Sequence, residues 1–278
     1  MSNKNTNTIS FMTANFVARQ LDYSMNEGWE QGDRATNDYF RPLETFGERF
    51  EGLLQEIRAM DFDTIDLWLA QLNPEWATIE HIATARDLLE RYGLSLASFA
   101  GWFGATPEEF ERSCRQAMIL GCTILGGSTS VFETDRSFAV ATLHKYGLRL
   151  GLENHPEKTP QVMLKKIGDG GAGAIGTALD TGWYATQGYD AAKAIRELRE
   201  HIVHVHMKDV LAEGMPHETC CYGEGIVPIR ECVRALQEIG YGGAISVEHE
   251  PERSDPTPDV LASRDLLVGW LQGGAQNE

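Results

Sequence analysis

The chain reads as one (β/α)8 barrel, and three observations predict it: its length, eight short apolar runs, and helical patterning between those runs. It has 278 residues, close to the roughly 250 typical of a single barrel of this kind. Apolar runs fall at residues 9–13, 65–69, 94–99, 123–126, 148–153, 175–180, 202–206 and 244–248. Eight strand–helix units in this length average about 33 residues each, the scale of a βαβ repeat. Strands buried on both faces have no side facing water, so they lose polar alternation and read as near-continuous apolar stretches.

The elements follow in order. After the first run, a segment at about 17–42 is rich in polar and aromatic residues and is expected to be a long loop. On a barrel such a loop lies at the C-terminal face, as a lid or substrate wall or as an ordinary insertion. Phe46, Phe50, Leu53, Leu54 and Ile57 then share one helical stripe, with Glu48, Arg49, Glu51 and Glu56 supplying polar faces. Helical spacing recurs at 79–92, 107–120, 138–146, 191–200, 227–239 and 258–271. Gly93, Gly147 and Gly240 stand where left-handed caps are wanted past helix ends. Pro74 and Pro107 are placed for a first helical turn. No low-complexity linker or charge block divides the chain, so residues 1–278 are expected to form one domain.

Composition narrows the function classes. With 41 acidic and 24 basic side chains the formal charge is −17, which repels phosphate backbones and argues against nucleic acid as a partner. The first twelve residues carry no apolar core of a signal peptide, and no run of about 18 apolar residues occurs. A cytoplasmic protein with no membrane partner is the expectation. The five cysteines form no CxxC pair, so reduced thiols are expected. The adjacent Cys220 and Cys221 have no recognisable metal spacing.

In a parallel barrel the reactive residues stand where the strands end. The fifth run ends Glu153-Asn154-His155, the sixth ends Asp180-Thr181-Gly182-Trp183, the seventh reads His204-Val-His206-Met-Lys208, and the eighth ends Glu248-His249-Glu250. Four successive strands thus bring Glu153, Asp180, His206 and Glu248 to one rim. Three carboxylates converging without a cation would repel, and some would have to protonate. A divalent metal resolves this: three oxygen donors and one imidazole suit Mn²⁺ first, with Mg²⁺, Co²⁺ or Zn²⁺ as alternatives. His155 lies two residues beyond Glu153, on the same side of an extended chain, where an imidazole would act as a catalytic proton carrier. The alternative is a structural histidine at the start of the loop. Trp183, His204, Lys208 and Glu250 are candidates for contacting substrate. Against these roles stand ordinary packing for Trp183, a hydrogen-bonded core or supporting position for His204, and solvated charges for the other two. Glu224 lies in a loop expected to reach the same face.

The segments GLENHPEK, ALDTGWYATQ, HVHMKD and GEGIVPIRECVRALQEIGYGGAISVEHE resemble the xylose isomerase-like TIM-barrel superfamily of sugar isomerases and epimerases and related lyases. The likeness is specific from about 148 to 251 and otherwise one of pattern. It implies that Glu153, Asp180, His206 and Glu248 are metal ligands, and that the catalytic Glu153 and Glu248 flank a carbon beside a carbonyl. A proton taken from that carbon would leave a metal-stabilised enediolate of a sugar or sugar-derived ketone, and its return would give an isomer or epimer. Epimerases of the group often carry histidine three positions after the strand-six aspartate, where this chain has Trp183. That departure, with His155, keeps open a lyase that eliminates an aglycone from a 3-oxo-glycoside, as in C-glycoside deglycosidase catalytic subunits. The expected partners are a carbohydrate or glycoside and a homo-oligomer, or a small β-rich subunit for the deglycosidase. An endonuclease IV-type nuclease would need more histidines and a basic groove, and a non-catalytic barrel would be expected to lack a ligand.

Overall fold

The computed structural model describes residues 7–273; the expected domain of 1–278 extends outside the described residues at both ends. Eight parallel strands close into a barrel: β1 (Ile9–Met12), β2 (Thr64–Trp68), β3 (Ser95–Trp102), β4 (Ile124–Ser128), β5 (Arg149–Glu153), β6 (Ile175–Asp180), β7 (Ile202–Met207) and β8 (Ile245–Val247). Each pairs with its neighbour in sequence, and β1 pairs with β8 to close the ring. Every run that the sequence marked as a strand is one. Helices intervene, and the predicted stripe from Phe46 to Ile57 lies buried on helix Leu43–Ala59.

Three expectations are corrected. The segment at 17–42 is not a continuous loop: it folds into a short turn and the twelve-residue helix Trp29–Phe40. Gly32 makes this possible, since a Cβ there would sit 2.4 Å from the Val17 carbonyl oxygen. Pro74 stands in a turn, and helix Ile79–Tyr92 instead starts at Thr78, whose hydroxyl accepts from the His81 N–H. Two short helices, Pro160–Ile167 and Thr181–Thr186, were not foreseen. Each has eight residues or fewer, too little for a 3.6-residue period to stand out. Pro107 does open its helix, and Gly93 and Gly147 cap theirs with φ of 61° and 67°.

Alternation along each strand sorts side chains between two environments. Phe11, Leu67, Phe99, Leu125 and Val205 join the main apolar core that includes the helices. Met12, Trp68 and Ala100 belong to a second apolar cluster, with Met25 from the excursion after β1. Polar residues also occupy the strands: Ser10, Asp66, Ser98, His204 and Ser246 are all fully buried.

Candidate active site and metal centre

Side chains from the loops tie neighbouring strand ends together. Asn154 accepts from the Asp180 N–H at 2.7 Å and donates to its carbonyl at 2.9 Å, joining β5 to β6. The Thr181 hydroxyl donates to the Lys208 carbonyl and accepts from its N–H, both at 2.8 Å, joining β6 to β7. Asn15 accepts from His249 N–H at 2.8 Å and donates to the Val247 carbonyl at 3.1 Å, joining β8 to β1. These clips sit beside the polar strand-end residues and hold their backbones in fixed relation, as a preorganised site requires.

Within this frame one atom each from Glu153, Asp180, His206 and Glu248 lies within 4.8 Å of the others. Charges at that spacing repel by roughly 3–4 kcal/mol per like pair at an effective dielectric of about 20. Two cationic groups offset this. His206 Nδ1 lies 3.1 Å from Glu153 Oε1 and 3.4 Å from Glu248 Oε2. The Lys208 ammonium, only 2% exposed, stands 3.2 Å from Asp180 Oδ2, 3.0 Å from Glu248 Oε1 and 3.2 Å from Glu250 Oε2. Room for its stem depends on Gly182, where a Cβ would fall 2.8 Å from a Lys208 stem carbon.

The titrations follow from this crowding. Burial works against the Glu153 carboxylate, but the hydrogen bond and charge of His206, with Lys208 and His155, hold it down at about 2. For Glu248 burial prevails, and Glu250 and Asp180 add to it, so that despite Lys208 and His206 it is pushed up to about 8. Burial disfavours the Lys208 cation, yet Asp180, Glu248 and Glu250 outweigh burial and hold it well above the usual lysine range.

The residues fit a divalent cation on two observations of their own geometry. Three carboxylates and an imidazole converge, and Asp180 Oδ2 and Glu248 Oε2 are buried without a hydrogen-bond partner. Asp180 uses Oδ1 to cap helix Thr181–Thr186, accepting from Trp183 N–H at 2.9 Å. That cap leaves Oδ2 for the site.

The other sequence candidates separate. Lys208 and Glu250 join the cluster, Lys208 as a buried cation rather than a solvated one. His204 is fully buried and bonded to Asp66 at 2.6 Å, so the substrate contact proposed for it gives way to a supporting position inside the barrel. His155 is exposed and stacks on Trp183 with ring centres 3.8 Å apart. Trp183 is covered on its second stacking contact by His217 at 3.9 Å and 4°. Trp183, half-buried, thus stands in a stack with two imidazoles. Glu224 lies in the loop held by Asp209, which accepts from the N–H groups of Gly223, Gly225 and Val227.

Sequence reasoning missed Asp66 and His217. Asp66 carries a signal, as a lone acid inside the apolar run of β2. His217 carries none, since it lies in the irregular stretch between the paired residues Asp209–Val210 and Thr219–Cys220. The five cysteines are all free thiols, and burial pushes Cys220 up to about 12.

The chain belongs to the xylose isomerase-like TIM barrel family, whose model matches residues 54–270. Over 135 residues it is 31% identical to an uncharacterized protein of Methanocaldococcus jannaschii, covering 46% of this chain and 44% of that one. The chain thus spans less than half of that relative's length. Solved structures share the fold. An L-ribulose 3-epimerase superposes with a TM-score of 0.69 at 16% identity, covering 96% of this chain and 95% of that one. A D-tagatose 3-epimerase-like protein gives 0.65 at 21%, covering 78% and 91%. A probable 3-DHS dehydratase of petrobactin synthesis from Bacillus anthracis gives 0.64 at 15%, covering 94% and 98%. No helix among the described residues is long and apolar enough to cross a membrane.

Proposed function

We propose that this protein is a divalent-metal-dependent isomerase or epimerase of a sugar or sugar-derived ketone. The observation that carries this reading is the convergence of Glu153, Asp180, His206 and Glu248, with Asp180 Oδ2 and Glu248 Oε2 buried beside cations but without a hydrogen bond. These four residues would hold the ion, Mn²⁺ being the best match to the donor set, with Mg²⁺, Co²⁺ or Zn²⁺ as alternatives. When bound, a divalent cation supplies electrophilic stabilisation of negative charge on a substrate oxygen.

The chain's own residues supply the rest. Glu153 keeps about a quarter of its side chain exposed (26%), so it is the carboxylate a substrate carbon can approach and the group assigned to take its proton. Glu248, held between Lys208 and His206, is assigned to deliver a proton to the same carbon from the other side. Glu250 is assigned to accept from substrate hydroxyls, and the buried Lys208 holds Asp180, Glu248 and Glu250 in place behind it. His155, exposed on Trp183, stands at the entrance, close enough for its charge to act on Glu153, and is the remaining proton carrier. The D-tagatose 3-epimerase-like and L-ribulose 3-epimerase structures that share the fold carry names in keeping with this chemistry.

A second reading is supported by one feature. Trp102 at the end of β3 is 50% exposed, and Trp29, 40% exposed, packs on Trp68 at 5.0 Å. An apolar surface beside a polar site suits a substrate with a bulky apolar substituent, such as a 3-oxo-glycoside whose aglycone is eliminated. A small β-rich partner subunit belongs to that reading, and a homo-oligomer to the first.

The test is incubation of metal-loaded protein in D₂O with free ketoses, inososes and 3-oxo-glycosides, followed by NMR. Deuterium at the carbon beside the carbonyl, with an isomeric product, supports the first reading. Aglycone release or an unsaturated ketone replaces it with the second. Absence of exchange and of elimination across the panel overturns both.

A further inference from the structure

Beneath the four-residue cluster the barrel encloses a second charged group. The Asp66 carboxylate is fully buried. Its Oδ2 accepts from His204 Nε2 at 2.6 Å and from the Ser246 hydroxyl, and lies 3.3 Å from His206 Nε2, an ion-pair contact in which that nitrogen completes no hydrogen bond. Its Oδ1 is buried without a partner. An isolated buried carboxylate is too costly to keep without a compensating role for its partners.

The two nitrogens of His206 therefore face different acids. Nε2 faces Asp66 inside the barrel, and Nδ1 faces Glu153 and Glu248 at the mouth. A ligand histidine whose far nitrogen is held by a carboxylate keeps one tautomer and one ring orientation. We propose that Asp66 is a positioning residue for the metal centre: it retains the proton on His206 Nε2 and so commits the Nδ1 lone pair to the ion.

Several details support this. His204 and Ser246 fix the acid from β7 and β8. A bulge at Ile65/Asp66 in the β2–β3 pairing and another at Thr177/Ala178 in the β6–β7 pairing lie at the level of this group. Bulges re-aim side chains, and here they accompany Asp66 on one side and His204 on the other. Gly126 on β4 lies against the ring, its ideal Cβ position being 3.8 Å from His206 Nε2 and 3.2 Å from the Ser98 hydroxyl.

The proposal rests on reading His206 as a metal ligand, and the experiment separates the two. Zn²⁺-loaded, ¹⁵N-labelled wild-type protein is examined by long-range ¹H–¹⁵N correlation. The expected His206 pattern is a protonated Nε2 and a proton-free, metal-shifted Nδ1; a proton on Nδ1 with metal on Nε2 overturns the proposal. The Asp66→Asn variant is then titrated with Mn²⁺. Loss of a carboxylate behind a ligand histidine is expected to weaken binding roughly 10- to 100-fold. Unchanged affinity in a variant that melts like the parent also overturns it, and if that variant does not fold, the wild-type spectrum alone decides. Absence of metal binding by the wild type refutes the metal centre itself rather than the role of Asp66.

Discussion

The two sides of the barrel mouth are built from opposite materials. From β5 to β8 the strand ends present Glu153, Asp180, His206, Lys208, Glu248 and Glu250, every one of them ionisable and most of them buried. From β1 to β3 they present Met12, Trp68, Ala100 and Trp102, with Trp29 and Met25 added by the excursion after β1. The strands are equivalent by fold, and within each half the register aligns neighbours: Trp68 pairs with Ala100, and Asp180 with His206. The difference lies in which residues stand at the last inward positions. A polar half costs stability through desolvated charge, whereas an apolar half gains stability on burial. That cost falls where the proposed ion would offset it.

Four experiments break or sharpen this contrast. The largest effect is expected in the polar half. Glu153→Gln and Glu248→Gln should each lower turnover by roughly 10³-fold or more, within the range of positioned acid–base groups, while leaving far-ultraviolet dichroism intact. Near-parental kcat in either variant at saturating metal would remove that residue from the chemistry.

A smaller effect is expected in the apolar half. Trp102→Ala should leave metal content unchanged and raise KM about tenfold for substrates carrying an apolar substituent, an amount matching the loss of some 50–60 Å² of apolar contact. Equal effects on a free ketose and an aryl-bearing analogue would show that the aromatic side does not read the substrate.

The smallest effect concerns pH. Burial, with the nearby charges of Lys208 and His155, pushes His217 down to about 3. Its folded-state value lies below the unfolded value of about 6.5. The unfolded chain therefore binds more protons in between, and stability present above pH ~6.5 is lost as pH falls toward 3. His81 and His249, also lowered by burial, act in the same direction. His217→Gln should flatten the decline of the melting midpoint between pH 6.5 and 4 without abolishing it. An unchanged slope would contradict the assignment.

The contrast also shows what a sequence reveals. All eight strands were legible because burial on both faces leaves an unbroken apolar run, and the acids of the polar half stood out as the residues that end those runs. The apolar half was hidden for the same reason: Met12 and Trp68 continue the hydrophobic pattern and give no sign that they face the mouth rather than the core. The helix Trp29–Phe40 escaped because its interior mixes Gly32, Asp33, Thr36 and Asn37, which are poor helix formers. Asp66 was visible as a single acid within an apolar strand, but its partners lie 138 and 180 positions away in sequence at His204 and Ser246. His217 gave no local signal, because only the packing of its loop on Trp183 brings it to the site.

The most direct test of the metal centre is Mn²⁺ stoichiometry by electron paramagnetic resonance after dialysis, comparing the parent with Asp180→Asn. Asp180 offers Oδ2 to the cluster while Oδ1 caps a helix, and asparagine retains the cap but loses the charge. The account predicts one tightly held ion per chain in the parent and a large loss in the variant. No stoichiometric ion in the parent, or undiminished binding in the variant, would contradict it.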